Sequence, residues 1–136
     1  MVIQCNGHFD LLHVGHLEHL KQAKALGGEV IVTMPSGAFM TKFGHPIFSD
    51  DERKTMLEGL RYVDRVIVMN DLGPYKAIEL VKPDIYVKGK EYIGRLPEQK
   101  FCEDRGIRVE FLGDTLYGST KLMTRLLSTL LETLLR

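Results

Sequence analysis

The 136 residues suit one compact domain spanning 1–136, and an apolar fraction of 44% is enough for a core, which excludes a disordered chain. Basic and acidic residues number 18 each, so the basic excess of a nucleic-acid binder is missing. No run approaches the length of a membrane span and no charged-then-apolar leader opens the chain; Cys5 and Cys102 stand far apart in no metal-like spacing, so a cytoplasmic protein with free thiols is expected.

Short apolar runs alternate with helical patterns. Val2-Ile3-Gln4-Cys5 reads as a strand cut by Asn6-Gly7. From about Gly15 to Leu26 the positions Leu17, Leu20, Ala23 and Leu26 suit a helix, ended by Gly27-Gly28. Val30-Ile31-Val32-Thr33 is a second buried strand, followed by a Gly- and Pro-bearing loop from Met34 to Phe48. Ser49-Asp50-Asp51-Glu52 has the spacing of a capping box, in which a serine hydroxyl and a glutamate carboxylate satisfy the orphan amides of a helix start. Arg65–Met69 is strand three, and Pro74 to Val81 a short helix with Pro74 in its first turn. Pro83–Val87 leads into strand four. A helix around Leu96–Asp104 precedes strand five at Ile107–Phe111, and a helix from about Ser119 to Leu135 ends the chain. Strands separated by helices predict right-handed βαβ units: an α/β fold with a parallel five-stranded sheet and helices on both faces. Ligands bind such sheets beyond the carboxyl ends of the strands, which directs attention to Asn6–His16, Met34–Lys42, Asn70-Asp71, Lys88–Tyr92 and Gly113–Thr120.

The first of these loops carries His13 and His16, three apart at a strand-to-helix junction. Free amides and the partial positive charge of a helix start favour a phosphate, and two imidazoles add donors for the same anion. Gly15 permits close approach of a ligand, and Gly7 a tight turn. Such a group suits phosphoryl or nucleotidyl transfer, where catalysis is mostly positioning and charge stabilisation. Two other readings stand beside it: one histidine as an ordinary helix cap, or a zinc site completed by His19.

The segment Gly7-His8-Phe9-Asp10-Leu11-Leu12-His13-Val14-Gly15-His16 resembles the signature of the cytidylyltransferase-like nucleotidylyltransferases, with its H-x-G-H core. The resemblance extends through Phe48–Arg53, Leu60–Asp64, Lys82–Tyr92 and Ser119–Leu122, nearly the whole chain. The nearest branch is the adenylyltransferase domain of bifunctional heptose-phosphate enzymes; glycerol-3-phosphate cytidylyltransferase is a more distant match. The resemblance implies a Rossmann-like fold and a reaction in which a sugar or polyol phosphate attacks the α-phosphorus of ATP or CTP and pyrophosphate leaves. Magnesium would be held mainly through phosphates and water.

The same resemblance implies roles for single residues. His13, His16 and Lys42 are the catalytic set, with Lys42, otherwise an ordinary solvated lysine, reaching the triphosphate. Asn6, Gly7, His8, Phe9, Asp10 and Gly15 form the nucleotide-binding loop, with Asp10 acting through a bound water, beside magnesium, or by orienting a histidine. Lys88 and Gly89 lie where base or ribose belongs, and Tyr92 either stacks there or packs. Ser119 and Thr120 form a second anion site or a plain cap, and Arg53 touches phosphate or makes a structural ion pair. The family usually places an apolar or small residue where His8 stands, so His8 either contributes near the α-phosphate or only lines the pocket, and His45 reads as a loop residue. Three departures narrow the acceptor: no acidic residue in Met34–Ala38, no arginine in Leu112–Tyr117, and a hydroxyl run shortened by Gly118. They weaken a glycerol-phosphate assignment.

Leucines recur in pairs through the last helix, from Leu122-Met123 to Leu134-Leu135, an apolar band of roughly 200° on a 3.6-residue helix. One sheet face does not cover such a band, so a homodimer is expected; a membrane-surface role is weaker, given few cations on the polar face. Two rival functions remain: a nucleotide-binding regulatory module of the same fold, and a fragment related to class I aminoacyl-tRNA synthetases, which the short neutral chain opposes.

Overall fold

A computed structural model describes residues 1–40, 46–71, 73–113 and 119–136, with the side chains of Ser119 and Thr120 excepted. Five strands run Val2–Asn6 (β1), Glu29–Pro35 (β2), Arg65–Met69 (β3), Ile85–Gly89 (β4) and Arg108–Leu112 (β5). The helices are Val14–Ala25 (α1), Asp50–Glu58 (α2), Tyr75–Val81 (α3), Gln99–Glu103 (α4) and Ser119–Leu134 (α5), with short 3-10 turns at Gly37–Phe39 and Lys90–Tyr92. All strand pairs are parallel and the order is β3-β2-β1-β4-β5. The expected α/β architecture is therefore present. The winding reverses between β1 and β4, and that is where an open parallel sheet leaves a crevice.

The central strands are rich in Val and Ile because parallel strands are covered on both faces. On one face Ile3, Cys5, Val30, Val32 and Val87 pack without exposure against Leu20 and Ala23 of α1 and Leu57 of α2. Each large apolar side chain so enclosed contributes about 1.5–3 kcal/mol. On the other face Tyr86 joins Ile78, Leu96, Cys102 and Ile107 in a smaller cluster. Strand alternation turns Gln4 and Asn6 toward that second face, away from Ile3 and Cys5.

Most predicted elements are present, with instructive shifts at their ends. Strand β2 reaches Pro35, since Ser36 N–H still donates to Met69 O beyond it. Pro74 caps α3 instead of lying inside its first turn, and its carbonyl accepts from Ile78 N–H. That helix stops at Lys82, which takes a left-handed φ of 49° because Pro83 cannot continue it. Helix α4 begins at Gln99, not near Leu96: Pro97 bars Leu96 from a helical conformation, and Leu96 and Glu98 turn inward instead. The Ser49 box forms as its spacing predicts, with Glu52 N–H donating to Ser49 Oγ at 3.1 Å and Ser49 N–H to Glu52 Oε1 at 3.0 Å. Replacing Ser49 by Ala should lower the unfolding free energy by about 1 kcal/mol in a urea titration, with the slope unchanged.

Candidate active site

The first loop leaves β1 through Asn6 and is pinned at once, with Gly7 N–H donating to Thr33 O on the neighbouring strand at 3.1 Å. Phe9 then adopts a left-handed φ of 49°, rare for a bulky residue, and buries its ring 5.4 Å from that of His16. A Cβ on Gly7 would come within 3.0 Å of the Phe9 ring. Gly7 thus serves a side chain as much as a turn: it lets Phe9 tuck under the loop.

His13 is the N-cap of α1. Its Nδ1 accepts from Gly15 N–H at 3.0 Å, while His16 Nδ1 accepts from His13 N–H at 3.3 Å. This is a capping box written in histidine, so the helix-cap reading holds for the pair. An Nδ1 that accepts a backbone amide cannot carry a proton, so the neutral tautomer of each ring holds it on Nε2. The rings lie 4.0 Å apart, and His13 Nε2 is buried with no hydrogen-bond partner among the described residues. Two backbone contacts have thus converted the histidines into neutral Nε2–H donors at a helix N-terminus.

Asp10 lies in the same loop, and among the described residues its hydrogen bonds run to the chain before α2. Its carboxylate accepts from Ile47 N–H and Phe48 N–H at 2.9–3.0 Å. From the other side Arg53 of α2 reaches back. Its fully buried guanidinium donates through Nη1 to His8 O at 3.0 Å and Pro35 O at 3.1 Å, and through Nη2 to Asp50 Oδ1 at 2.6 Å. With no exposure, two carbonyls on Nη1 and a carboxylate on Nη2, Arg53 makes the structural ion pair that was one of its two expected roles. Asp50 also accepts from Gly37 N–H at 2.8 Å, and that amide, with Ser36 and Arg53 behind it, holds the carboxyl below its ordinary value. Asp50 was hidden from sequence reasoning because the capping box already explained an acidic first turn.

Across the reversal, Lys88 Nζ donates to Asn6 O at 3.0 Å and lies 4.7 Å from the centre of the Tyr92 ring. Tyr92 is half-buried against the Tyr86 cluster, contacts that fit its packing role. A side chain on Gly89 would run into the Glu91 carboxylate, so glycine keeps the end of β4 open. His8 is exposed, and its carbonyl belongs to the Arg53 contact. His19 bonds the Leu112 backbone, and among the described residues no three His, Cys, Asp or Glu side chains converge as metal ligands. Lys42 and His45 lie outside the described residues, as do the side chains of Ser119 and Thr120.

Burial pushes both His13 and His19 below the ordinary imidazole value of 6.5. The unfolded chain therefore binds more protons below that pH, so stability is fully present above it and is lost as pH falls toward the folded values. Denaturation at about pH 7.5 and about pH 5.5 should show a lower unfolding free energy at the acidic value, and a smaller difference in His19→Gln.

A family model described as cytidylyltransferase-like matches residues 4–125. Bifunctional protein HldE of Helicobacter pylori is 42% identical over 97 residues, covering 69% of this chain and 21% of that protein. The HldE protein of Wolinella succinogenes is 39% identical over 97 residues, covering 69% and 20%. The chain thus spans about a fifth of the length of these bifunctional relatives. A FAD synthase of Aciduliprofundum boonei is 35% identical over 124 residues, covering 88% of this chain and 82% of the relative. Among solved structures, a lipopolysaccharide core biosynthesis protein of Thermoplasma volcanium superposes with a TM-score of 0.67 at 30% identity, covering 82% of this chain and 93% of the other.

Proposed function

This chain belongs to the cytidylyltransferase-like family, and on that premise we propose that it is a nucleotidylyltransferase joining a nucleoside monophosphate to a phosphate monoester. The observation that carries the reading is the pair of histidines whose Nδ1 atoms are both engaged by backbone amides. Such rings are preset donors for the α- and β-phosphates of a triphosphate. An acceptor phosphate oxygen forms the new bond to the α-phosphorus, the bond from that phosphorus to the α–β bridging oxygen breaks, and pyrophosphate leaves. The acceptor is already anionic, so the step needs no strong base. His13 and His16 follow the redistributing charge with Nε2–H groups that need not reorganise.

Lys42, Ser119 and Thr120 take the β/γ end in this reading, on the strength of the family resemblance. Magnesium enters with the triphosphate. Asp10 already accepts from two amides, so phosphate oxygens and water are the ion's hard ligands. ATP and a sugar 1-phosphate are the favoured pair, supported by the two HldE relatives. The FAD synthase relative adds FMN, also a phosphate monoester, to the acceptors worth testing. A cytoplasmic location is part of the same reading; no described helix is long and apolar enough to cross a membrane.

The test is a pyrophosphate-release screen of ATP and CTP against sugar 1-phosphates, polyol phosphates and FMN. Turnover with one such pair, reduced at least a hundredfold in a folded His16→Ala protein, is the expected result. Triphosphate binding without pyrophosphate from any pair would leave a regulatory module instead.

A second copy of the chain is proposed as the partner of α5. Leu126, Leu127, Leu130, Leu131, Leu134 and Leu135 are between 49% and 85% exposed, a patch beyond what a monomer ordinarily shows. Met123, Leu127, Leu130 and Leu134 follow a 4-3-4 spacing, which suits a helix pair. Sedimentation should give a dimer that Leu127→Glu with Leu130→Glu converts to monomer; a monomeric parent chain would refute the pairing.

A further inference from the structure

Under the first loop, on the sheet face opposite the main core, polar side chains are buried in a continuous line. Gln4 and Thr33 have no exposure and Glu98 has 5%. Gln4 Nε2 donates to Thr33 Oγ1 at 2.9 Å, and Thr33 Oγ1 donates to Asn6 Oδ1 at 2.8 Å. The Asn6 side chain also hydrogen-bonds the Tyr86 hydroxyl, which donates to Glu98 Oε2 at 2.7 Å. The Lys88 ammonium takes the Asn6 backbone carbonyl. The line crosses β2, β1 and β4 and ends on a carboxylate in the segment before α4.

Stability alone does not call for this. Each buried polar group costs roughly 1–3 kcal/mol whenever a partner is missing, and an apolar replacement of similar shape is often neutral or better. Gln4 Oε1 is in fact buried without a partner. What the line has in common is Asn6, held at its side-chain oxygen, its side-chain amide and its backbone carbonyl. Asn6 is the last residue of β1, and the loop to the histidine pair starts from it.

We propose that Glu98 is a positioning residue: through Tyr86, and as a charge facing Lys88, it fixes Asn6 and thereby sets the Gly7–His16 loop in the geometry that receives a triphosphate. The inference rests on the nucleotide-binding reading of that loop. Burial lowers the proton affinity of Lys88, while Glu98 and then Glu91 raise it. The other groups facing Lys88 are uncharged: burial pushes the Cys5 thiol of β1 up to about 12, and His19 of α1 and the Tyr92 phenol are each held toward neutrality by burial. Removing the charge at Glu98 therefore leaves Lys88 easier to deprotonate as pH rises.

The experiment compares the parent chain with Glu98→Gln, Tyr86→Phe and Lys88→Met. Two readouts are taken: ATP affinity by calorimetry from about pH 7 to about pH 9.5, and amide hydrogen exchange without ligand. Glu98→Gln can still accept from Tyr86, so it should fold with a near-parental unfolding midpoint. Its ATP affinity should fall about tenfold at neutral pH and further as pH rises. Lys88→Met should bind weakly with no such slope, and adding Glu98→Gln to it should cost no further affinity. Both Glu98→Gln and Tyr86→Phe should speed exchange of the amides between Gly7 and His16 while those of β3 keep their protection. Parental affinity, pH profile and loop exchange in folded Glu98→Gln would overturn the assignment. If the parent chain binds neither ATP nor CTP, the nucleotide reading fails, and the exchange measurement alone still decides whether Glu98 holds the loop.

Discussion

The structure turns on one constraint, the reversal of winding between β1 and β4. Neighbouring parallel strands elsewhere in the sheet are followed by helices that cover their ends; at the reversal the two connections leave in opposite directions. The carboxyl ends of β1 and β4 therefore lie side by side and open. The candidate site residues whose side chains are described stand largely on them: the histidine loop on one, Lys88 and Gly89 on the other, and a 3.0 Å hydrogen bond from Lys88 to Asn6 between them.

Holding a loop at such an opening requires contacts from below and from the side. From the side, Asp10 and Arg53 make a reciprocal clasp. The loop supplies a carboxylate to the chain before α2, and α2 returns a guanidinium to the loop. Each contact joins two segments far apart in sequence, so both residues brace the loop. From below, the buried polar line through Asn6 does the same task within the sheet. The strained backbone at Phe9 persists because these two sets of contacts over-determine it.

The histidine pair illustrates how local backbone geometry selects chemistry. An isolated imidazole titrates near neutrality and has two equivalent tautomers. Capping by Gly15 and His13 amides removes one tautomer, and burial of His13 disfavours the charged form. What remains is a donor with a fixed direction, at the end of a helix whose own amides already favour an anion. On the proposed function, this preorganises the phosphate contacts with no further side chain needed to orient the rings.

Much of this was legible in the sequence, because it depends on short-range pattern. Strand periodicity, the Ser49 box and the histidine spacing are set by residues within a few positions of one another, and the strand–helix alternation then dictates a parallel sheet. The interactions that could not be read are those joined only by the fold. Arg53 could be surface or core until α2 packed onto the sheet beside β3, and burial then made it a strut. Asp10 finds amides 37 and 38 residues away, and Glu98 reaches Asn6 through Tyr86 across two strands. Sequence determined which elements form and which end of the sheet is chemical. Only tertiary structure decided which polar residues face a ligand and which hold the others in place, because burial and long-range hydrogen bonding have no signature in local spacing.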